Sequence, residues 1–203
     1  MDTIINPIAK VDQSFYFIIG FSFVFLFFVT FVMIYFVIKY RRSHHPDPVD
    51  IRGNFLLEVV WVVIPTFIAI AMFISGWQSY TGLRNIPKNT LEVSVIAQSF
   101  SWIFVYPDGK ESENIMVVPQ NKPVKLNITS DDVLHSLFIP AFRVKIDALK
   151  AMKTYAWFLP EKIGEFDILC TEYCGVGHFE MTGKVKVVSS LEYEEWINQE
   201  DEW

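Results

Sequence analysis

Residues Phe15 to Ile38 read FYFIIGFSFVFLFFVTFVMIYFVI, a run of 24 residues without a charged side chain. As an α-helix this run is about 36 Å long, which exceeds the roughly 30 Å hydrocarbon core of a bilayer. A cleaved signal peptide is the alternative, but it would have a basic start and a shorter apolar core, whereas here the basic residues follow the run. We therefore expect a retained transmembrane helix over residues 14–38, preceded by an outer N-terminal segment, residues 1–13.

A second apolar run extends from Phe55 to Trp77 and predicts a second transmembrane helix over residues 55–77. The loop between the two runs, residues 39–54, is basic and contains Lys39, Arg41, Arg42 and Arg52. Basic loops stay on the cytoplasmic side, so both termini and everything after Trp77 are predicted on the outer side. We expect a multi-pass protein of the inner (cytoplasmic) membrane with a periplasmic domain.

Glu58 is the one ionisable residue within the second predicted span. A charged group inside a membrane is costly and usually faces protein or water. Glu58 is also only four positions into the span, where it can reach the cytoplasmic interface. Its position alone does not decide between a functional role and an interfacial one.

The composition excludes several classes of protein. A net charge of −6 disfavours nucleic-acid binding, which needs a basic surface to displace counterions. Two cysteines, Cys170 and Cys174, are too few for a disulfide-stabilised scaffold. The hydrophobic content of 52% is high for a soluble domain and low for a chain that is membrane-embedded throughout, so we expect one part of each kind.

After a linker, residues 78–88, the pattern changes to short runs in which apolar and polar residues alternate. The clearest runs are Leu91–Val95, Trp102–Tyr106, Val124–Ile128 and Val185–Val187. Short alternating runs separated by turn residues predict an antiparallel sandwich or barrel over residues 89–190. Residues 191–203 form an acidic C-terminal tail, expected to be solvated or to steer a basic partner by long-range attraction.

The residues that carry chemistry are concentrated in Cys170 to Met181, which read CTEYCGVGHFEM. Two thiols, the His178 imidazole and the Met181 thioether fall within this segment, and His135 lies upstream. Thiolate and thioether ligands favour copper, and a weak axial Met beside His and Cys is typical of copper proteins that transfer electrons.

Three other interpretations remain at this point. Structural zinc uses pairs of Cys and His, but usually at other spacings and without a Met. A disulfide between Cys170 and Cys174 would close a short loop and add little stability. A catalytic thiol would need an adjacent base and would not need a second Cys. Because a single copper ion needs only one thiolate, two Cys with two His favour two copper ions bridged by the sulfurs.

These residues resemble subunit II of the haem–copper cytochrome c oxidases, the subunit that holds the dinuclear CuA centre. The resemblance covers the two-span hairpin and the Glu58-x-x-Trp61-x-x-x-Pro65 pattern. It continues through DVLHS at residues 132–136 and KIDA at residues 145–148 to the C-x-E-x-C-G-x-x-H-x-x-M signature. The implied fold is a two-helix transmembrane hairpin followed by an all-β cupredoxin-like barrel or sandwich.

The resemblance implies a role for each candidate residue. Cys170 and Cys174 would bridge two copper ions, with His135 on one ion and His178 on the other. Met181 and the backbone carbonyl of Glu172 would be weak axial ligands. The Glu172 carboxylate would help to bind a magnesium ion shared with subunit I. Glu58 would lie at the mouth of a proton pathway that leads into subunit I.

The resemblance also implies the function and the partners. The chain would accept electrons from cytochrome c, or from a cytochrome c domain, and pass them to the haem of subunit I for reduction of O2 to water. Subunit III is a further expected partner. Quinol oxidase subunit II shares the fold but lacks the copper ligands. Nitrous oxide reductase shares the CuA motif but has a large catalytic domain, and a membrane-tethered copper-delivery protein would have Met- or His-rich clusters.

The sequence departs from the family pattern at two places. Trp102 lies in an aromatic strand that commonly begins with a Trp two positions earlier, where electrons enter from cytochrome c, but here that residue is Phe100. Phe lacks the indole N–H, which leaves open the route of the electrons and the identity of the donor. The Pro-Gly turn usual after Asp147 is replaced by Lys150-Ala151, close to the expected partner surface.

Overall fold

The structure is a computed structural model that describes residues 6–47, 49–50 and 52–199. These residues divide into a helical unit, residues 9–80, and a unit built on β-strands, residues 81–199 together with residues 6–8. Parts of three predicted segments lie outside the described residues: residues 1–5 of the N-terminal segment, residues 48 and 51 of the basic loop, and residues 200–203 of the acidic tail.

Helix α1 spans Pro7–Lys39 and begins before the predicted start at residue 14. The Asn6 side-chain oxygen accepts a hydrogen bond from the backbone N–H of Ile8 at 3.1 Å, as the residue that caps a helix N-terminus does. Proline suits the first helical position because its missing N–H would have no partner there. The apolar run does not show this start because residues 10–13 are mostly polar.

Helix α2 spans Phe55–Arg84 and extends past the predicted end at Trp77 into the predicted linker. Its N-terminus is capped by the Asn54 side-chain oxygen, which accepts a hydrogen bond from the Leu57 N–H at 3.2 Å. The helix ends shortly before Pro87, because a residue that precedes proline disfavours the helical conformation.

Within the described residues, α1 and α2 are long and apolar enough to cross a membrane. Large apolar side chains point outward along both helices, and the Phe28 side chain is 62% exposed. The helices are joined by a serine cluster, in which the Ser14 hydroxyl lies 2.7 Å from that of Ser75 and 2.8 Å from that of Ser79. Because small hydroxyl residues allow close approach and hydrogen bonding in lipid, this cluster determines which faces of the helices meet.

The remainder of the described chain forms ten strands and a third helix. The strands are β1 (Leu91–Gln98), β2 (Ser101–Val105), β3 (Glu111–Glu113), β4 (Ile115–Pro119), β5 (Val124–Ser130), β6 (His135–Ile139), β7 (Val144–Ala148), β8 (Thr154–Phe158), β9 (Gly164–Cys170) and β10 (Thr182–Val188). The strand order is β3-β2-β1-β5-β8 in one sheet and β4-β10-β9-β6-β7 in the other.

The two sheets form a sandwich around one hydrophobic core. Alternate residues of β1 and β5 are fully buried, among them Val93, Val95, Leu126 and Ile128. The predicted fold class, a two-helix hairpin followed by an all-β sandwich, is confirmed. The expected antiparallel pairing holds for most neighbouring strands, but β1 pairs with β5 and β4 with β10 in parallel. Alternation shows which face of a strand is buried but not which strand lies beside it.

Helix α3 spans Ser190–Asn198, where we expected an acidic tail. Its N-terminus has a capping box, in which Ser189 and Glu192 bond to each other's backbone N–H groups. The Trp196 ring packs edge-on against Tyr106, with ring centroids 4.9 Å apart. Helix α3 follows the end of β10 that is opposite Met181, about 23 Å away along the strand. Because the Debye length at physiological ionic strength is only about 8 Å, salt screens the acidic residues of α3 from the surroundings of Met181.

The Tyr106 hydroxyl bonds to both backbone groups of one residue in the neighbouring sheet. It donates to the Val117 carbonyl at 3.0 Å and accepts from the Val117 N–H at 2.7 Å, and both residues are buried. Replacing Tyr106 with Phe would leave these buried groups without partners, so we expect Tyr106→Phe to lower the free energy of unfolding by about 1–3 kcal/mol. Denaturant titration of the full chain in detergent measures this loss.

Tyr173→Phe is the matched control because it removes a hydroxyl from a side chain that is 78% exposed. We expect this variant to unfold within about 0.5 kcal/mol of the unmodified chain. An equal loss of stability in the two variants would contradict the role given to the Tyr106 hydroxyl.

Candidate metal centre

The ends of three neighbouring strands of the second sheet, β10, β9 and β6, bring potential metal ligands together. Cys170 ends β9, while Met181 immediately precedes β10, and the Cys170 N–H donates to the Met181 carbonyl at 3.2 Å. On the other side of β9, the register pairs Cys170 with Leu137, which places His135 just beyond Cys170 at the start of β6. The pairing of β10, β9 and β6 therefore gathers three donors that are far apart in the sequence.

The two cysteines lie at the middle of this group. The Sγ atoms of Cys170 and Cys174 are 3.9 Å apart, and both are free thiols. The donor atoms of His135, Cys170 and Cys174 all lie within 4.8 Å of one another. This spacing allows the same metal ion to contact both sulfurs without a large movement of the backbone.

Each cysteine sulfur has a histidine imidazole beside it. His135 Nδ1 lies 3.9 Å from the Cys170 sulfur, and His178 Nδ1 lies 3.5 Å from the Cys174 sulfur. His178 begins a short 3-10 turn, His178–Glu180, which returns the chain to Met181. The four strong donors thus follow the order His135, Cys170, Cys174, His178, with the sulfurs in the centre.

Two weaker donors complete the group. The Met181 sulfur is fully buried and lies 3.9 Å from the Cys174 sulfur. The carbonyl oxygen of Glu172 lies 3.4 Å from the Cys170 sulfur. Thiols, imidazoles and a thioether together suit a soft metal, and copper fits this donor set best.

The protonation of Cys174 affects how a metal can bind. Burial, together with the neighbouring Cys170, raises the pKa of Cys174 to about 11. At neutral pH this thiol therefore carries its proton, and a metal that binds the sulfur must displace it.

Asp132 lies beside this group in the turn that connects β5 and β6. Its Oδ1 atom lies 2.8 Å from Nε2 of His135, and its Oδ2 atom accepts from the Ser99 N–H at 2.8 Å. Although burial acts in the opposite direction, hydrogen bonds from Ser99, His135 and the Val133 N–H hold the pKa of Asp132 well below its usual range. The carboxylate is therefore ionised throughout the physiological range.

Phe100 rests on the loop that connects the ligands. A Cβ atom added to Gly175 would lie 3.1 Å from the Phe100 ring, and one added to Gly177 would collide with the ring. Gly175 also has a φ of +137°, a conformation that side chains with a Cβ rarely adopt. The Phe100 side chain is 37% exposed, so it contacts the ligand loop on one side and solvent on the other.

Trp102 lies deeper than Phe100. It is fully buried, and its ring packs edge-on against His135 with centroids 6.3 Å apart. The Trp102 ring therefore contacts a candidate donor from within the core, whereas Phe100 lies at the surface.

Glu58 belongs to the helical unit. It lies in the first turn of α2 and is exposed, and its carboxylate lies close enough to Gly53 that a Cβ there would be 2.9 Å from Oε1.

Asp132 and Ser99 are members of the site that were not predicted from the sequence. Asp132 was quoted only as part of the DVLHS segment, and nothing in the sequence connects it to Ser99, which is 33 residues away. A signal for half of the pair is present, since a carboxylate three residues before a histidine ligand is well placed to bond to the second ring nitrogen.

Two family models match the chain. Residues 5–77 match the transmembrane domain of cytochrome c oxidase subunit II, and residues 91–188 match its periplasmic domain. The helices α1 and α2 are therefore membrane spans, and the sandwich is a domain outside the cytoplasm.

Individual relatives agree with the family models. The structure of the periplasmic domain of subunit II of cytochrome oxidase from Bradyrhizobium japonicum is 32% identical, with a TM-score of 0.54 over 56% of this chain and 94% of that chain. A subunit II captured as a mixed disulfide intermediate with a thioredoxin-like protein is also 32% identical, with a TM-score of 0.51 over 56% of this chain and 92% of that chain.

Curated relatives match along both units of the chain. A probable cytochrome c oxidase subunit 2 from Rickettsia bellii is 28% identical over 79% of this chain and 68% of the relative. The match covers only 58% of the subunit from Rickettsia conorii, so the chain spans about three fifths to two thirds of the length of such relatives.

A cytochrome bo(3) ubiquinol oxidase subunit 2 from Buchnera aphidicola is 31% identical over 81% of this chain and 60% of the relative. Overall similarity therefore extends to oxidases named for different electron donors, and the residues of the site must distinguish them. Since the two family models together match most of the membrane hairpin and the sandwich, the chain belongs to the cytochrome c oxidase subunit II family.

Proposed function

We propose that this chain is the electron-accepting subunit of a terminal respiratory cytochrome c oxidase, with a dinuclear CuA centre held by His135, Cys170, Cys174 and His178. The observation that carries the proposal is the order of the donors, in which one imidazole lies beside each of two thiols 3.9 Å apart. When bound, the two copper ions would supply one-electron transfer, with cytochrome c as the donor and the haem of subunit I as the acceptor.

The protein supplies every donor of this site. The strand ends hold Cys170, Met181 and His135 in place. The Glu172 carbonyl and the Met181 thioether would be weak ligands, since they lie 3.4 Å and 3.9 Å from a cysteine sulfur. A site filled by protein ligands leaves no position for O2, so its reduction to water belongs to subunit I. We assign the Glu172 carboxylate, which is half-buried, to a magnesium ion shared with subunit I.

The complete donor set favours this function over that of a quinol oxidase subunit II, the second candidate. A subunit without copper would have no use for two thiols, two imidazoles and a thioether converging on one edge of the sandwich. The basic loop favours both termini and the copper domain on the periplasmic side, with subunit I and subunit III as membrane partners. Phe100 is the residue that a docked cytochrome c would contact, and the buried Trp102 lies below it.

Copper loading tests the proposed centre directly. The full chain in detergent is loaded with copper and oxidised, and copper content and low-temperature EPR are measured. We expect two copper ions per chain and a hyperfine pattern from one unpaired electron shared equally between them. One ion with a localised spin, or no bound copper, would overturn the CuA assignment.

A double variant, His44→Ala with His45→Ala, is the matched control for this measurement. Both of these histidines are exposed in the loop that follows α1, so copper content and EPR should not change. Replacing His135 and His178 instead, also with Ala, should abolish the shared-spin signal.

We also propose that a thioredoxin-like protein keeps Cys170 and Cys174 reduced before copper binds. Their sulfurs are 3.9 Å apart, so a small movement would allow a disulfide with its S–S bond of about 2.05 Å. The subunit II relative captured as a mixed disulfide with a thioredoxin-like protein favours such a partner. One partner thiolate would attack a sulfur of the disulfide, and its second thiol would then release two reduced cysteines and an oxidised partner.

The disulfide proposal predicts that the oxidised chain cannot be loaded with copper. After oxidation with a mild disulfide, we expect copper uptake to fall to background. Treatment with a reduced thioredoxin should restore two alkylatable thiols per chain and the full copper content. Normal copper uptake by a chain without free thiols would contradict the proposal.

We further propose that Glu58 delivers protons to the mouth of a pathway in subunit I. Its carboxylate is exposed in the first turn of α2, beside the basic loop. In the assembled oxidase, Glu58→Gln should lower the rate of O2 reduction and of proton uptake, because an amide cannot carry a titrating proton, while Glu58→Asp should restore part of the rate. Asp50→Asn, in the adjoining basic loop, is the control, and an equal loss in that variant would show a general charge effect instead.

A further inference from the structure

Asp132 is the acceptor for groups that come from two different parts of the metal site. One oxygen, Oδ1, lies 2.8 Å from His135 Nε2 and accepts from the Val133 N–H at 2.6 Å. The other oxygen, Oδ2, accepts from the Ser99 N–H at 2.8 Å and from the Ser99 hydroxyl at 2.5 Å. Each oxygen of one carboxylate thus serves a separate segment of the chain.

The first oxygen acts on a metal ligand. A neutral imidazole has a proton on one ring nitrogen and a lone pair on the other. Because Nε2 of His135 faces a carboxylate, the proton is held on Nε2 and the lone pair is left on Nδ1. Nδ1 is the atom that faces the Cys170 sulfur at 3.9 Å, so this contact presents His135 to a metal in the binding tautomer.

The second oxygen, Oδ2, anchors Ser99, the residue before Phe100. Ser99 is fixed through both its N–H and its hydroxyl, and the next residue, Phe100, rests on Gly175 and Gly177 of the ligand loop. The position of the Phe100 ring on this loop therefore depends on the anchoring of Ser99.

We propose that Asp132 is a positioning residue. It fixes the tautomer of His135 and, through Ser99, the position of the Phe100 ring on the ligand loop. One carboxylate thereby links the exposed residue that a donor would contact to a ligand of the metal. The proposal rests on the proposed copper function, but the contacts of Asp132 with His135 and with Ser99 can be tested without copper.

Asp132→Asn separates the two contacts, since an amide has only one oxygen acceptor. If the amide oxygen faces His135, the Ser99 N–H loses its acceptor; if it faces Ser99, the amide N–H2 forces the His135 proton onto Nδ1. In the copper-free full chain in detergent, 15N-histidine NMR reports the tautomer of His135 among only four histidines, and hydrogen exchange reports the Ser99 amide. We expect one of the two readouts to change and the other to be retained.

Asp132→Ala removes both contacts. We expect both the tautomer and the Ser99 exchange rate to change, and copper affinity to fall about 10–100-fold in competition with a chelator, as for other residues that support a metal ligand. Asp131→Asn and Asp131→Ala are the matched controls, because Asp131 has the same charge at the adjacent position and its side chain is exposed. Circular dichroism checks that each variant is folded.

The proposal is overturned if Asp132→Ala leaves the tautomer, the exchange rate and the copper affinity the same as in Asp131→Ala. It is also overturned if Asp132→Asn leaves both copper-free readouts unchanged. A chain that binds no copper at all, but in which these readouts respond as expected, would overturn the copper function while supporting the role of Asp132.

Discussion

The metal site depends on the hydrogen-bonded register of β10, β9 and β6. A change of one residue in the pairing of β9 would move Cys170 away from Met181 and turn alternate side chains to the opposite face of the sheet. The sandwich core resists such a change because the buried apolar side chains of β9, such as Ile168, would then turn away from the core. The free energy that keeps the donors together is therefore supplied mainly by burial in the core, at roughly 25 cal/mol per Å2 of apolar surface, rather than by contacts among the donors.

The segment between the two fixed ends is short and has little freedom. It leaves β9 at Cys170 and returns to β10 after Met181, and the 3-10 turn at His178–Glu180 shortens its path. Gly175 allows the backbone a positive φ, and Gly177 leaves room for the Phe100 ring. The ring and the loop fit only because neither position has a side chain, so a Cβ at Gly177 would displace the Phe100 ring.

The candidate donors could be recognised in the sequence because five of the six donor residues lie in one contiguous segment with a recognisable spacing. Hydropathy predicted the two spans and the start of α2, but it did not predict the start of α1, where Asn6 caps the first turn, or the end of α2 at Arg84. The parallel pairing of β1 with β5 could not be predicted, since alternation does not identify neighbours. The helix α3 was hidden by its acidic residues, although Tyr193 and Trp196 lie on one helical face. Asp132 and Ser99 meet only after the sandwich has formed.

The raised pKa of Cys174 has a consequence for how the protein survives before it is complete. At pH 7 a thiol with so raised a pKa is almost entirely protonated, and the thiolate is the form that oxidants attack. In a newly folded domain that waits for its metal, oxidation that begins at this sulfur is therefore slow, which lightens the task of the reductant proposed for the cysteine pair. Burial keeps the Cys174 thiol protonated and so protects it from oxidation. This protection ends when an incoming cation takes the place of the proton.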